Sequence, residues 1–185
     1  MTSKVRQYLA ILILVFVSVG RYSVHSSPKQ GVSSVRSASL EIGSDSFIEI
    51  SLEGGGVYGG ANPVTRNQKV ITSNGTILIR HKQLYSGDKS KTLLTSRGEV
   101  ERLAKFIYDN EFFKMKDIYD CSPSSQKCKD RKKKYPPAIP LTVSVKIGEL
   151  KKKVTVTVFE KGIIDYPHSF ELIVDEINEV VSQAK

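Results

Sequence analysis

The sequence predicts an α+β domain in which an antiparallel sheet of about five strands packs against two helices on one of its faces. Three observations support this fold class. Alternating apolar and polar residues predict strands, short turn sequences join most of the strands into hairpins, and two longer segments have the apolar spacing of amphipathic helices. The order is strand, hairpin, helix, hairpin, helix, which favours antiparallel neighbours over parallel strands joined by crossover helices.

The first strand and the first hairpin are predicted from alternation and from one turn sequence. Residues 48–53 alternate between apolar and polar side chains, as a half-buried strand does. Two β-prone runs, 70–73 and 76–81, then flank Asn74-Gly75. Because this dipeptide accepts positive φ at both centres of a type I′ turn, we expect a tight hairpin here.

The first helix is predicted from its start signal and its apolar period. Ser96-Arg97-Gly98-Glu99 has the sequence of a capping box, in which the Ser and Glu side chains satisfy amide groups at a helix start. Four apolar residues follow at i, i+3, i+4 and i+7, and the helix should end near Asn110. They are Val100, Leu103, Ala104 and Ile107. The bulky segment 112–119 should then cross the sheet edge into the core.

The second hairpin is the clearest element of the chain. Residues 141–147 and 154–158 alternate, and Gly148-Glu149 between them fits a type II′ turn, which needs Gly in its first central position. This turn sets the register of the two strands. It places Ile147 opposite Leu150, Lys146 opposite Lys151, and Ser144 opposite Lys153.

The last helix is predicted from six apolar residues spaced at 0, 3, 4, 7, 10 and 11, with acidic residues on the other face. The apolar residues are Phe170, Ile173, Val174, Ile177, Val180 and Val181, and the acidic ones are Glu171, Asp175, Glu176 and Glu179. Asp165 is expected to cap this helix, with Pro167 in its first turn.

The first 26 residues have the order of a secretory signal peptide. Lys4 and Arg6 precede a mainly apolar run from Tyr8 to Val19, and small or polar residues follow up to Ser26. As a helix, twelve residues would reach about 18 Å, short of the roughly 30 Å of a bilayer core, so cleavage is favoured over an uncleaved anchor. We therefore expect a signal at 1–26, a Ser-rich tether at 27–45, a single domain at 46–184, and a periplasmic, cell-surface or secreted location.

The basic charge is confined to two tracts. The whole chain carries +9, and removal of the signal leaves +6. Residues 127–134 have a net charge of +5 and residues 151–153 a net charge of +3, so the rest of the exported chain is slightly acidic. The candidate anion-binding residues are Lys127, Lys129, Arg131, Lys132, Lys133, Lys134, Lys146, Lys151 and Lys153.

The partner expected for these cations is an anionic lipid headgroup, an anionic glycan or an acidic protein. Nucleic acid is not expected, because the tracts lack interleaved aromatic residues and the chain is predicted to be exported. The basic tracts are also compatible with roles that involve no partner. Residues 127–134 could be a solvated flexible loop, and the hairpin lysines could pair with the acidic helix face or could discourage pairing at a sheet edge.

The remaining motifs give little indication of catalysis or of ligand binding. Cys121 and Cys128 are expected to form a disulfide, since export favours oxidation and the spacing is wider than the C-x-x-C of redox pairs. Only His81 and His168 follow the signal, so we expect no metal site and no cofactor. The glycine pattern at 54–59 is not followed by a helical period, which indicates a loop and not a dinucleotide site. No catalytic motif is found.

The order of these elements resembles a family of exported bacterial domains of unknown function. The resemblance covers about residues 47–182, and its most specific part is Phe112-Phe113-Lys114-Met115-Lys116-Asp117-Ile118-Tyr119. Family members commonly carry a cysteine pair after the first strand, where this chain has the glycine-rich residues 55–60 without cysteine. The resemblance implies the fold and the exported location, but no activity.

The sequence as a whole favours a non-catalytic exported binding or interaction domain that contacts an anionic envelope component. Two alternatives remain. One is a small periplasmic hydrolase or an enzyme inhibitor, which would need a pocket with a titratable group among His81, His168, Asp120 and Asp165. The other is a purely structural envelope protein.

Overall fold

The computed structural model describes residues 40, 42–43, 46–56 and 59–185. The predicted signal peptide and most of the predicted tether lie outside these residues, so both stay predictions. Leu40 and Ile42 fall within the predicted tether, and both are partly buried against the hydrophobic core.

The described chain contains seven strands, three α-helices and one 3₁₀ turn. In chain order they are β1 (Ile48–Gly54), β2 (Val64–Thr72), β3 (Thr76–Gln83), β4 (Gly87–Leu94), α1 (Arg97–Asp109), the 3₁₀ turn (Phe112–Lys114), β5 (Ile118–Tyr119), α2 (Gln126–Lys134), β6 (Leu141–Ile147), β7 (Leu150–Val156) and α3 (His168–Gln183). Within the described ranges, no helix has the length and apolar character needed to cross a bilayer.

All seven strands belong to one sheet in the order β4-β3-β2-β1-β6-β7-β5. Neighbouring strands are antiparallel except β5 and β7, which are parallel. The α+β class with a mainly antiparallel sheet is therefore confirmed. The strand number differs from the predicted five, because β4 and β5 were not predicted.

Neither additional strand has the pattern by which strands are predicted. Every residue of β4 except Leu93 is exposed, and β4 is an edge strand that pairs only with β3 along its length. Its strand conformation follows from backbone hydrogen bonds, which do not require apolar side chains. Strand β5 has two residues, too few for any alternation to be recognised.

The hydrophobic core joins the buried side chains of the sheet to the apolar faces of α1 and α3. Both helices bury the residues that their periods predicted. The Arg102 guanidinium also links them, with Nη2 2.6 Å from Glu176 Oε1. Helix α2, by contrast, contributes only Cys128 to this core.

The two helix starts differ from the sequence prediction in detail. Ser96 Oγ accepts a hydrogen bond from the Glu99 N–H at 3.1 Å, as a capping box requires, but the Glu99 carboxylate binds Arg102, which lowers the pKa of Glu99. The prediction that Asp165 caps α3 is wrong. The N-cap is Pro167 and no side chain caps the helix there, because Asp165 lies two residues too early in the chain.

The turn of the second hairpin is confirmed, whereas that of the first differs from the prediction. Gly148 has φ +55° and Glu149 does not have positive φ, as a type II′ turn requires. In the first hairpin only Gly75 has positive φ, at +85°, and its N–H donates to the Thr72 carbonyl at 2.8 Å. A type I′ turn is therefore wrong here, and the three residues 73–75 form the connection.

Gly75 is also a point of close approach between two parts of the fold. The Thr95 N–H donates to the Gly75 carbonyl at 2.9 Å. A Cβ atom at position 75 would lie 2.1 Å from the Thr95 carbonyl oxygen. Glycine is thus required both for its backbone conformation and for its lack of a side chain.

We expect Gly75→Ala to lower the free energy of unfolding by about 3 kcal/mol, because it combines positive-φ strain with a backbone clash. Gly87→Ala is the matched control. Gly87 also has positive φ, at +72°, but a Cβ atom there would meet nothing within 4 Å, so only about 1 kcal/mol should be lost. Urea denaturation of both variants measures the difference. Equal losses would contradict the close approach of Gly75 to Thr95.

Candidate binding surface along strand β7

The predicted register of the β6–β7 hairpin is confirmed. Ile147 pairs with Leu150, Lys146 with Lys151, and Ser144 with Lys153. Lys146, Lys151 and Lys153 are exposed on the face of the sheet opposite the core. The Lys146 ammonium lies 4.8 Å from the centre of the Phe47 ring, a favourable cation–π contact.

The middle lysine of the 151–153 tract has a different environment. Successive side chains of a strand point to opposite faces, so Lys152 is on the face opposite its two neighbours. It is only 18% exposed and forms an ion pair with Asp117. The outward row of β7 therefore contains Lys151 and Lys153, whereas the charge of Lys152 is balanced by Asp117.

The outward row of β7 continues beyond the lysines with Thr155 and with Thr157, which directly follows the strand. Thr155 Oγ1 is 3.1 Å from Thr142 Oγ1, and Thr157 Oγ1 donates to Asp120 at 2.7 Å. Since alternate residues are about 6.6 Å apart in a strand, Lys153 and Thr157 are separated by about 13 Å. The strand thus presents cations at one end and hydroxyl groups at the other.

Two cavities follow one another along this row. The first has a volume of about 460 Å³, and its lining consists of Lys151, Lys153, Thr155 and Ile118 together with the ion pair of Lys152 and Asp117 at its rim. The second has a volume of about 390 Å³ and its lining includes Thr157, Asp120, Lys132 and Tyr135. Because Thr155 and Thr157 are consecutive outward residues, we treat the two cavities with the row Lys151, Lys153, Thr155 and Thr157 as one feature, the β7 groove.

The second basic tract is a helix and not the flexible loop that was one of its predicted forms. Residues Gln126–Lys134 form α2, whose N-cap Ser125 Oγ accepts from the Cys128 N–H at 3.4 Å. Helix α2 exposes Lys127, Lys129, Lys132, Lys133 and Lys134. Cations in its last turn interact favourably with the negative end of the helix dipole.

Two contacts attach this polar helix to the domain. Cys128 is 3% exposed and forms the predicted disulfide with Cys121, with a Cα–Cα distance of 5.9 Å. Arg131 is 4% exposed, and its guanidinium donates to Glu160 Oε1 at 2.7 Å and to the Pro136 carbonyl at 2.7 Å. Arg131 thus lies inside the protein, apart from the exposed lysines with which the sequence grouped it.

The two basic tracts lie at opposite ends of the β7 groove, where Lys132 represents the α2 tract. Hydrogen bonds from Thr157 and from the Cys121 N–H lower the pKa of Asp120, and the charge of Lys132 adds to this effect. Lys132 on α2 is therefore close to the threonine end of the groove. The groove extends from the hairpin lysines to Lys132, and Tyr135 beside it is 59% exposed.

The sequence did not predict the part of this groove that lies beyond the lysines. The alternation of β7 could have assigned Thr155 and Thr157 to the lysine face, because both follow the same period. No local pattern could have placed Asp120, Tyr135 and Ile118 beside them, since this requires the position of α2 and of β5.

The internal pairing considered for the hairpin lysines does not occur among the described residues. Glu171 accepts from Tyr166 and bonds with His168, Glu176 pairs with Arg102, and Glu179 accepts from Gln183. Helix α3 packs on the core face, whereas the hairpin lysines are on the opposite face.

The residues considered for a hydrolase are dispersed. His81 is in β3, Asp120 follows β5, Asp165 precedes α3, and His168 begins α3. Strands β3 and β5 are five positions apart in the sheet, which corresponds to about 24 Å. His81 and Asp120 therefore cannot act on one substrate atom. In the described part of the chain, no three His, Cys, Asp or Glu side chains are grouped so that they could hold a metal ion.

Comparison with known proteins adds no assignment: the chain matches no protein-family model and no curated protein.

We expect Arg131→Met to lower the free energy of unfolding by about 2–3 kcal/mol, because it leaves Glu160 and the Pro136 carbonyl without their buried donor. Lys133→Met is the matched control. It removes the same charge from an exposed position of the same helix and should change stability by at most about 0.5 kcal/mol. Chemical denaturation measures both variants, and similar losses would contradict the buried position of Arg131.

Replacing both cysteines, Cys121→Ser with Cys128→Ser, should destabilise the domain by about 2.5 kcal/mol, the loop-closure value for a loop of about eight residues. Treatment of the wild-type protein with a reducing agent should lower its melting temperature by about as much as the double substitution does. Equal melting temperatures of the reduced and the oxidised wild-type protein would show that the disulfide does not hold α2 in place.

Proposed function

We propose that this chain is a non-catalytic exported binding domain that attaches to an anionic component of the cell envelope through the β7 groove. One observation carries the proposal. Two basic tracts that are separate in the sequence lie at the two ends of one groove, and the groove lysines Lys151, Lys153 and Lys132 form no ion pair within the described residues.

The form of the groove favours an extended anionic chain as the partner, and an anionic glycan fits it best. Lys151 and Lys153 lie about 6.6 Å apart at one end of the outward row and Lys132 lies at the other end, so together they can contact separate charges of a linear polymer. The threonine hydroxyls and the exposed ring of Tyr135 offer the hydrogen-bond and stacking contacts that sugar rings use. A lipid headgroup or an acidic protein would use the same cations.

Export is supported by two independent features. The N-terminal residues have the order of a signal peptide, and Cys121 and Cys128 form a disulfide, as is typical of proteins in oxidising compartments. The resemblance to exported bacterial domains agrees with the same location and belongs to the proposal.

A purely structural role is the second candidate, and an observation on the sheet edges favours it. The N–H groups of Thr155 and Thr157 donate to the carbonyls of Asp117 and Tyr119, at the start and end of the β5 segment. The backbone groups of Lys151 and Lys153 therefore face the same side, where β5 does not reach. The opposite edge strand, β4, carries Lys89 and Lys91. Lysines at exposed edges prevent pairing between sheets of different molecules.

The decisive variant is Lys151→Gln with Lys153→Gln, which leaves the ion pair of Lys152 intact. A lysine near an anionic surface contributes about 1 kcal/mol, so the variant should be retained about 10- to 30-fold more weakly on envelope fractions at low salt. Retention of the wild type should also fall as salt is added. Lys89→Gln with Lys91→Gln is the control, because it removes the same charge from the opposite edge.

Ligand preference, retention and self-association separate the candidate functions. Binding to a polyuronate column without binding to phosphatidylglycerol vesicles would support the glycan, and the reverse result would support a lipid. Unchanged, salt-insensitive retention of the Lys151/Lys153 variant would overturn the binding role. If that variant instead self-associates in analytical ultracentrifugation, the lysines protect the sheet edge.

A further inference from the structure

Lys69 is a cation at a position where the sheet is otherwise apolar. It pairs with Leu52 on β1 and with Ile79 on β3. The next residue of β2 on the same face is Ile71, which is fully buried. Lys69 is therefore on the face that α3 covers, opposite the face that carries the β7 groove.

No carboxylate balances this charge among the described residues. Lys69 Nζ donates to Oδ1 of Asn178 on α3, a neutral amide, and it takes part in no ion pair. Burial lowers the pKa of Lys69, with no opposing contribution from an acidic neighbour. A cation in this environment is stabilised by any anion that can reach it.

A cavity of about 280 Å³ adjoins the ammonium group. Its apolar walls are Leu52, Leu141, Phe159 and Val174, and its polar lining includes Lys69, Asn67 and Asn178. At about 30 Å³ for each water molecule, the cavity has room for about nine waters or for an organic molecule of about ten heavy atoms.

The polar lining consists of one cation and amide groups that can donate. Because Asn178 Oδ1 accepts from Lys69, its Nδ2 group remains free to donate to a ligand. Asn67 has no hydrogen bond from its side chain within the described residues, so its amide is free as well. One positive charge with two amide donors fits a singly charged carboxylate better than a doubly charged phosphate.

We propose that Lys69, Asn67 and Asn178 form a binding site for a small monocarboxylate whose apolar body packs against Phe159 and the aliphatic walls of the cavity. This site is separate from the proposed function, because it lies on the other face of the sheet and uses none of the groove residues. Its ligand class follows from the single charge, the amide donors and the apolar walls.

The test is a titration of the isotopically labelled full chain, followed by amide NMR shifts, with benzoate as the probe and benzamide as its neutral isostere. Benzoate should cause saturable shifts at residues 67–69 and 177–179, and benzamide should bind at least about tenfold more weakly. Inorganic phosphate should not compete with benzoate. Equal binding of benzoate and benzamide, shifts elsewhere only, or stronger competition by phosphate would each overturn the proposal.

Lys69→Met supplies the second test, because methionine is similar in length to lysine and carries no charge. Benzoate shifts at residues 177–179 should disappear in this variant. They should persist in the control Lys91→Met, which removes an exposed lysine from edge strand β4, separated from β2 by β3. Persistent shifts in a folded Lys69→Met would overturn the proposal, and if that variant does not fold, the comparison of benzoate with benzamide on the wild type decides alone.

Discussion

The antiparallel pairing of β1 with β6 is the constraint on which the rest of the structure depends. It runs without interruption from Ile48 and Ile147 to Gly54 and Leu141, and it joins strands β1–β4 to a hairpin far away in the sequence. At its end the backbones are so close that a Cβ atom on Gly54 would lie 1.9 Å from the Pro140 carbonyl oxygen. Because β6 is held centrally in this way, its hairpin partner β7 lies near the sheet edge, where the short β5 leaves the lysine end uncovered.

The helices are attached to this sheet by two different kinds of force. Helices α1 and α3 bury apolar faces, and apolar burial is the largest favourable contribution to folding. Helix α2 has almost no apolar surface to bury, so it depends on a disulfide at Cys128 and on the contacts of one guanidinium, that of Arg131. The position of Lys132 at the β7 groove thus depends on the redox state of its surroundings, because a disulfide can be reduced. Attachment by apolar packing would not have this dependence.

This distinction explains how much could be predicted from the sequence. The second hairpin, α1 and α3 were predicted because their apolar periods reflect the burial that stabilises them. Strand β4 and helix α2 were not predicted. Strand β4 is held by backbone hydrogen bonds and α2 by a few single-residue contacts, and neither kind of contact produces an apolar period in the sequence. The register of the lysines on β6 and β7 followed from the Gly148 turn alone, but the position of the two basic tracts at one groove depends on tertiary contacts. Arg131 was grouped with its charged neighbours, because burial of a single residue in a polar run has no local signal.

The lysines on the two faces of the sheet differ in their exposure to water and in the screening of their charges, although all count equally toward the net charge. Lys151 and Lys153 are exposed to water, so each contributes little to the binding of an anion, and strong binding requires several such lysines. Their attraction falls off within about 8 Å at physiological salt. Lys69 is partly removed from water, so its interaction with a single carboxylate is screened much less. Salt should therefore weaken attachment at the groove while leaving occupancy of the Lys69 cavity nearly unchanged. The formal charge of +9 is for this reason a sum of dissimilar parts, and the burial of each lysine, more than the total, determines what the protein can bind.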